Sequence, residues 1–361
     1  MRTLEDQLRD LIAFEGPITV ERYMGLCLER YYATRDPLGA VGDFTTAPEI
    51  SQMFGELIGL WMLEVWHAMG RPSPCRLIEL GPGRGTLMAD LLRASRLLPD
   101  FRSAVSVHLV ETSPTLRERQ RAMLATSGFE IAWHDRIEDV PEGPALLVAN
   151  EFFDALPVRQ FVATDRGWCE RLVGLEGEHL VFGLRAEPEA PLGKPPHPGA
   201  IREWPATSIA LMKGLSHRLA CETGAALIID YGYWGPAFGD TLQALKQHQH
   251  VDPLSEPGEA DLTTHVDFQR LAETAAGNKV RIHGMATQGE FLQALGIEAR
   301  AASLKQRATP AQAADIDRAL ARLIARGPTE MGGLFKVLAI SHAGLEAVPG
   351  LPPHPLTPAR M

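Results

Sequence analysis

The chain has 361 residues, 45% hydrophobic and 22% charged, with a formal net charge of -10. That composition supports a large buried core, in one large domain or two smaller ones, and excludes wholesale disorder. An acidic total speaks against nonspecific nucleic-acid binding, which needs a basic footprint, while leaving room for a local basic patch. The cysteines Cys27, Cys75, Cys169 and Cys221 form no C-x-x-C pair and read as free, mostly buried thiols without zinc. No apolar run reaches the roughly 18 residues of a membrane span. The stretch Met1 to Asp6 is acidic and lacks a signal-peptide core, so the expected location is the cytoplasm.

Leu4, Leu8, Leu11 and Ile12 carry the spacing of an amphipathic helix, which Gly16-Pro17 stops. Thr19 offers an N-cap for a second helix over 20–31. After a glycine-bearing loop over 35–48, a long apolar helix is predicted over 49–69. Residues 1–70 thus form a helical prelude. Between 71 and 345 the pattern predicts a sheet domain. Apolar strands at 76–80, 105–110, 129–133 and 145–149 alternate with helices over 86–98 and 115–127, as in a parallel sheet buried on both faces. Three β-like runs between 158 and 184, joined by Asp165-Arg166-Gly167 and Glu176-Gly177-Glu178, predict an inserted antiparallel meander. Strands are expected again at 225–230, 280–283 and 334–340. Insertions fall at about 158–200 and 286–328, the second holding two helices with a break near Thr309-Pro310. The tail, 346–361, is Pro-rich and reads as loose.

The run Glu79-Leu80-Gly81-Pro82-Gly83-Arg84-Gly85 joins a buried strand to a helix. Glycines there allow a tight turn and a close ligand approach at the carboxyl end of the sheet. The dinucleotide fingerprint G-x-G-x-x-G would need glycine at Thr86, whereas it falls one residue earlier, at Gly85. Glu-x-Gly-x-Gly-x-Gly is the form used for S-adenosylmethionine (SAM), and Glu79 suits the cationic amino group of its methionine moiety. Glu111, at the tip of the second strand, can accept from both ribose hydroxyls, or it is a solvated strand-end carboxylate. Asp135 can accept from an adenine amino group with Ile137 flanking the ring, or Asp135 is an N-cap. Asn150 completes the candidate cofactor set at the fourth strand. After it come Glu151, Phe152, Phe153 and Asp154, where aromatic and acidic residues can hold a cationic or amide-type acceptor; Phe153 can equally be packing. Lys246, His248, His250 and His265 lack tight ligand spacing, so no metal is expected.

Several motifs resemble, in order, those of the MidA-like methyltransferases. They are Gly16-Pro17-Ile18, Tyr31-Tyr32, Gly42 to Ile50, Phe54-Gly55-Glu56, Glu79 to Gly85, Asn150 to Pro157, Ile229 to Gly232 and Asp261 to Phe268. The resemblance spans about residues 4–340 and the family includes a mitochondrial complex I assembly factor. It implies an α/β, Rossmann-like class I SAM-methyltransferase fold with added helical and antiparallel parts. It also implies methylation of a protein arginine on a respiratory complex I (NADH dehydrogenase) subunit. Glu151, Asp154 and Asp43 become candidate catalytic residues, with Phe44, Thr45, Thr46 and Phe152 on the substrate side. Glu151 and Asp154 are not spaced like the paired glutamates of other arginine methyltransferases. Three other functions stay open: a SAM-binding assembly factor without catalysis, an NAD-type oxidoreductase, and a methyltransferase acting on a small molecule.

Overall fold

The computed structural model describes residues 2–34, 46–188, 192–327 and 329–356. They divide into two compact units. Of the described residues, one holds those within 46–153, 212–233 and 268–356, and the other those within 2–34, 154–211 and 234–267. The predicted prelude is therefore divided, its first two helices falling in one unit and its apolar helix in the other.

The first of these units is built on seven strands, β1 (Cys75–Leu80), β2 (Val105–Val110), β3 (Ile131–His134), β4 (Ala145–Asn150), β5 (Gly224–Tyr233), β6 (Arg281–Thr287) and β7 (Phe335–Ser341). They lie in the order β6-β7-β5-β4-β1-β2-β3. Strands β1 to β5 run parallel, and β7 is antiparallel to both β5 and β6. Every residue of β4 is buried, as a strand covered on both faces requires. The chain steps outward from β1 to β2 and β3, then restarts on the other side with β4. That reversal opens the crevice at the carboxyl ends of β1 and β4, where this class of sheet binds ligands.

Helix α1 (Gln52–Ala68) packs on α2 (Thr86–Ala94) at close range. A Cβ on Gly55 would lie 2.5 Å from the Asp90 Cβ, and one on Gly59 3.0 Å from the Ala94 Cβ. The two glycines therefore set how near α2, and the loop before it, sits to α1. Glu56 accepts from Arg93 at 3.1 Å and from Arg300 at 2.7 Å, tying both helices to Ile297–Lys305. The predicted single helix over 49–69 is instead interrupted at Ser51. This residue is extended (φ -163°) and its hydroxyl caps Met53 N–H at 3.2 Å. The second insertion holds three helices, Gln288–Ala294, Ile297–Lys305 and Pro310–Ile324, the last begun by a Thr309/Gln312 capping box.

The tail is not loose as far as residue 356. Pro349 O accepts from the Trp61 indole at 3.1 Å, Pro352 O accepts Gly284 N–H at 2.7 Å, and Ile282 O accepts His354 N–H at 2.9 Å. Prolines offer carbonyls and no N–H, which suits a segment covering the edge strand β6.

The second unit contains helices Leu4–Glu15 and Val20–Thr34 and the expected meander, Arg159–Thr164, Gly167–Glu176 and His179–Leu184, paired antiparallel. Ile201–Trp204 and Ile18–Thr19 extend that sheet. A separate three-stranded sheet comprises Gln243–Lys246, Gln249–Val251 and Asp261–Thr263.

Candidate functional site

The glycine loop begins where β1 ends. Gly81, Gly83 and Gly85 have φ of 60°, 52° and 87°, a region costly for other residues. A Cβ on Gly81 would lie 2.7 Å from the Phe152 ring. Gly81 N–H donates to Val110 O at 3.0 Å, which pins the loop to β2. Gly85 then opens α2 in the left-handed conformation. The loop is also held from outside the sheet. Glu49 accepts from the Thr86 hydroxyl and pairs with Arg84 at 4.0 Å.

Glu79 lies in β1, two residues before Gly81, and is almost wholly buried. Its Oε2 has no hydrogen-bond partner among the described residues, and neither has Asn150 Oδ1 at the end of β4. Burial, reinforced by the charge of Glu111, pushes the Glu79 carboxyl up to about 8. A buried acid in that state is stabilised by an incoming cation, which would restore its charge.

Glu111 follows β2. Its Oε1 accepts Ser113 N–H at 2.8 Å and its Oε2 accepts from Gln120 Nε2 at 3.3 Å. Burial raises this carboxyl too, while those hydrogen bonds act in the opposite direction. Asp135, after β3, is exposed and accepts from Arg117 at 2.7 Å. Ile137 is buried in the short turn Ile137–Asp139.

Glu151 follows β4 with φ 51°, the left-handed region that favours glycine. Its Oε1 accepts Ala47 N–H at 2.9 Å and Asn150 Nδ2 at 3.2 Å. Asp230 fixes this turn: it is fully buried and accepts Phe152 N–H at 3.1 Å, Phe153 N–H at 2.9 Å and Tyr231 N–H at 2.9 Å. Phe152 is half-buried over the loop, and Phe153 is buried.

Glu79, the three glycines, Glu111, Asp135, Ile137, Asn150, Glu151 and Phe152 thus all belong to one unit. Thr46 belongs to it too, as the N-cap residue of the turn Ala47–Ile50, with no side-chain cap bond. Asp154 falls in the other unit, buried, its carbonyl accepting Thr264 N–H at 3.0 Å. Asp43, Phe44 and Thr45 lie outside the described residues. Two residues escaped the sequence assignment of the site, Asp230 and Gln120. Gln120 stands between Leu116 and Leu124 on the buried stripe of α3 (Pro114–Leu124), and a polar side chain there is the one local signal. Asp230 follows the apolar run of β5 and belongs to a quoted motif, but its partners Phe152 and Phe153 are remote in sequence.

A parallel sheet with this strand order, a glycine loop after β1, an acid at the tip of β2 and a buried acid with an unpartnered oxygen define a class I SAM-dependent methyltransferase. The comparisons with known proteins agree. Residues 57–286 match a family of S-adenosyl-L-methionine-dependent methyltransferases, and the chain belongs to that family, the MidA-like methyltransferases. It is 38% identical over 377 residues to the mitochondrial protein arginine methyltransferase NDUFAF7 homolog of Drosophila melanogaster, covering 94% of this chain and 84% of that protein. It is 37% identical over 370 residues to the mitochondrial protein arginine methyltransferase NDUFAF7 of Danio rerio, covering 94% and 87%. A Burkholderia thailandensis protein crystallised with S-adenosyl-homocysteine superposes with a TM-score of 0.83 at 30% identity, covering 96% of this chain and 93% of that one.

The chain is thus a SAM-dependent methyltransferase, and the nicotinamide alternative falls away. The orphaned Glu79 carboxylate and the loop that a Cβ at Gly81 would obstruct fit that cofactor. The expectation of a cytoplasmic location does not stand, because the relatives are named as mitochondrial proteins. The N-terminal charge pattern behind it tests only for a secretory signal. No helix among the described residues is long and apolar enough to cross a membrane.

Proposed function

We propose that this methyltransferase acts on the guanidinium group of a protein arginine, and that the protein is a respiratory complex I subunit. The carrying observation is its 37% and 38% identity, over 94% of the chain, to relatives named protein arginine methyltransferases. The complex I assignment rests on the resemblance to the assembly-factor branch of the family. A guanidinium stays protonated near neutral pH, so it becomes a nucleophile only where carboxylates orient it and a base receives its proton. Glu151 suits that task, because its turn is held by Asp230 and its Oε1 by Ala47 N–H and Asn150.

Glu79 would hold the cationic amino group of the cofactor, and Gly81, Gly83 and Gly85 would admit it against the backbone. Glu111 would accept the ribose hydroxyls, Asp135 and Ile137 would meet the adenine, and Asn150 would complete the set. Bound SAM supplies an electrophilic methyl group. The chain's own contribution is alignment: Glu151 holds the acceptor nitrogen in line with the methyl carbon and takes the proton released after attack. Such orientation can lower a barrier by roughly 7–11 kcal/mol. Phe152, beside the loop, would flank the acceptor. For Asp43, Phe44, Thr45, Thr46 and Asp154 the acceptor-side role rests on the resemblance alone.

The test supplies isotopically labelled SAM, the purified chain and the quinone-side NADH dehydrogenase subunit of its host, with mass spectrometry to locate the label. Label on one arginine, lost with Glu111→Ala, is the expected result. Absence of label from a preparation that binds S-adenosylhomocysteine would refute this acceptor and favour an assembly factor that does not need catalysis.

A further inference from the structure

Gln120 is fully buried, yet every polar atom of its side chain is used. Its Nε2 donates to Gly83 O at 2.7 Å and to Glu111 Oε2 at 3.3 Å, and its Oε1 accepts from the Trp133 indole at 2.8 Å. The indole N–H can only donate, so it must meet the amide oxygen. That settles which way the amide faces, and it turns the NH2 group toward the loop and the carboxylate. Gly85 lies against the same residue, where an added Cβ would sit 3.5 Å from Gln120 Cα. One turn back on α3, Arg117 Nε donates to Glu111 O at 2.7 Å.

We propose that Gln120 is a positioning residue that locks the glycine loop and the Glu111 carboxylate into one preset arrangement, and so governs recognition of the cofactor's ribose. The proposal rests on the assignment of Glu111 to the ribose. Three elements meet at this amide: the loop after β1 through Gly83, the tip of β2 through Glu111, and β3 through Trp133. Gly83 and Glu111 belong to the cofactor site as assigned, and Trp133 does not. Trp133 serves as the fixed end, and Arg121 lies over its ring at 5.1 Å, restraining it further. Without the amide, Glu111 keeps Ser113 N–H but loses its side-chain donor, and the Gly83 carbonyl loses a buried partner. A carboxylate that must find its own orientation each time binds a diol more weakly and discriminates less.

Gln120→Met tests this, because methionine keeps the length, the apolar packing and the helix preference while removing both donors and the acceptor. Binding of S-adenosylhomocysteine and of its 2′-deoxyribose analogue is measured by calorimetry, with thermal unfolding alongside. Leu124→Ala, on the same buried stripe, is the structural control. The expected result is a roughly ten- to hundredfold loss of affinity for S-adenosylhomocysteine, the range set by losing a hydrogen bond to a charged group. The preference for the ribose form over the deoxy form should shrink as well. Leu124→Ala should lower the melting temperature and leave affinity and preference intact. Trp133→Phe should fall between the wild type and Gln120→Met.

Wild-type affinity and preference in Gln120→Met would overturn the proposal. So would an equal loss of preference in Leu124→Ala, which would make the effect one of packing. A wild-type chain that binds S-adenosylhomocysteine without preferring the ribose form would instead overturn the assignment of Glu111. Absence of any binding to the wild type would remove the cofactor placement on which both depend.

Discussion

Two buried acids, one in each unit, respond to burial in opposite ways. Glu170 in the meander is fully buried, and burial alone would push its carboxyl up. Arg159 at 2.7 Å and Arg185 at 2.8 Å outweigh burial and hold it below the ordinary carboxylate range. Glu79 feels the same burial with no such partner, and Glu111 adds to the shift, so its carboxyl rises to about 8. The comparison separates an acid satisfied within the chain from one left open. Glu170 is completed by two arginines, whereas Glu79 Oε2 has no partner among the described residues, as the proposed pairing with the cofactor's amino group requires.

Replacing each acid should therefore damage a different property. Glu79→Gln is expected to weaken binding of S-adenosylhomocysteine roughly ten- to hundredfold while leaving thermal stability unchanged or raised. Calorimetry and a melting curve read both, and a destabilised protein of unchanged affinity would reverse the contrast. Glu170→Gln should cost about 1–3 kcal/mol in urea unfolding, because two arginines lose a charged acceptor, and should leave affinity alone. Gly81→Ala should lose about 1 kcal/mol or more of stability together with ligand affinity, since φ is 60° and the Phe152 ring stands 2.7 Å from the new Cβ. A Gly81→Ala protein of full affinity would mean that the loop is only a turn.

The pH dependence of stability follows from the same contrast. The Glu79 carboxyl is raised from 4.5 to about 8, so the folded ligand-free protein keeps a proton that the unfolded chain has already released. Its contribution to stability is fully present below the lower value and is lost as pH rises between the two. Unfolding midpoints at intervals across that window should fall more steeply for the wild type than for Glu79→Gln; parallel profiles would contradict the account. The smallest effect belongs to Asp135→Asn. That residue is exposed and paired with Arg117, and a change in ligand affinity of about two- to threefold is expected.

The strands and the glycine loop were legible in the sequence because their signals are local. Apolar runs end in glycine, and helical spacing follows. Glu79, Glu111 and Asn150 could be located at the carboxyl ends of strands because each closes or follows such a run; their roles are part of the proposal. The position of β7 between β5 and β6 was not legible, because chain order does not state that the last strand inserts antiparallel beside the fifth. The prolines of the tail suggested looseness, yet their carbonyls meet donors on β6 and α1. Gln120 and Asp230 escaped for a related reason. What makes them important is the set of N–H, carbonyl and carboxylate groups gathered around them from distant parts of the chain, which no periodicity reports.

The most direct test of the account is calorimetric titration of S-adenosylhomocysteine at pH 7 in two buffers of different ionisation enthalpy, for the wild type and Glu79→Gln. With its carboxyl at about 8, Glu79 is mostly protonated before binding, and under the proposed placement it would ionise beside the ligand's amino group. The account predicts release of about one proton by the wild type, and weaker binding without release by Glu79→Gln. Equal affinity and equal proton release in the two proteins would contradict it.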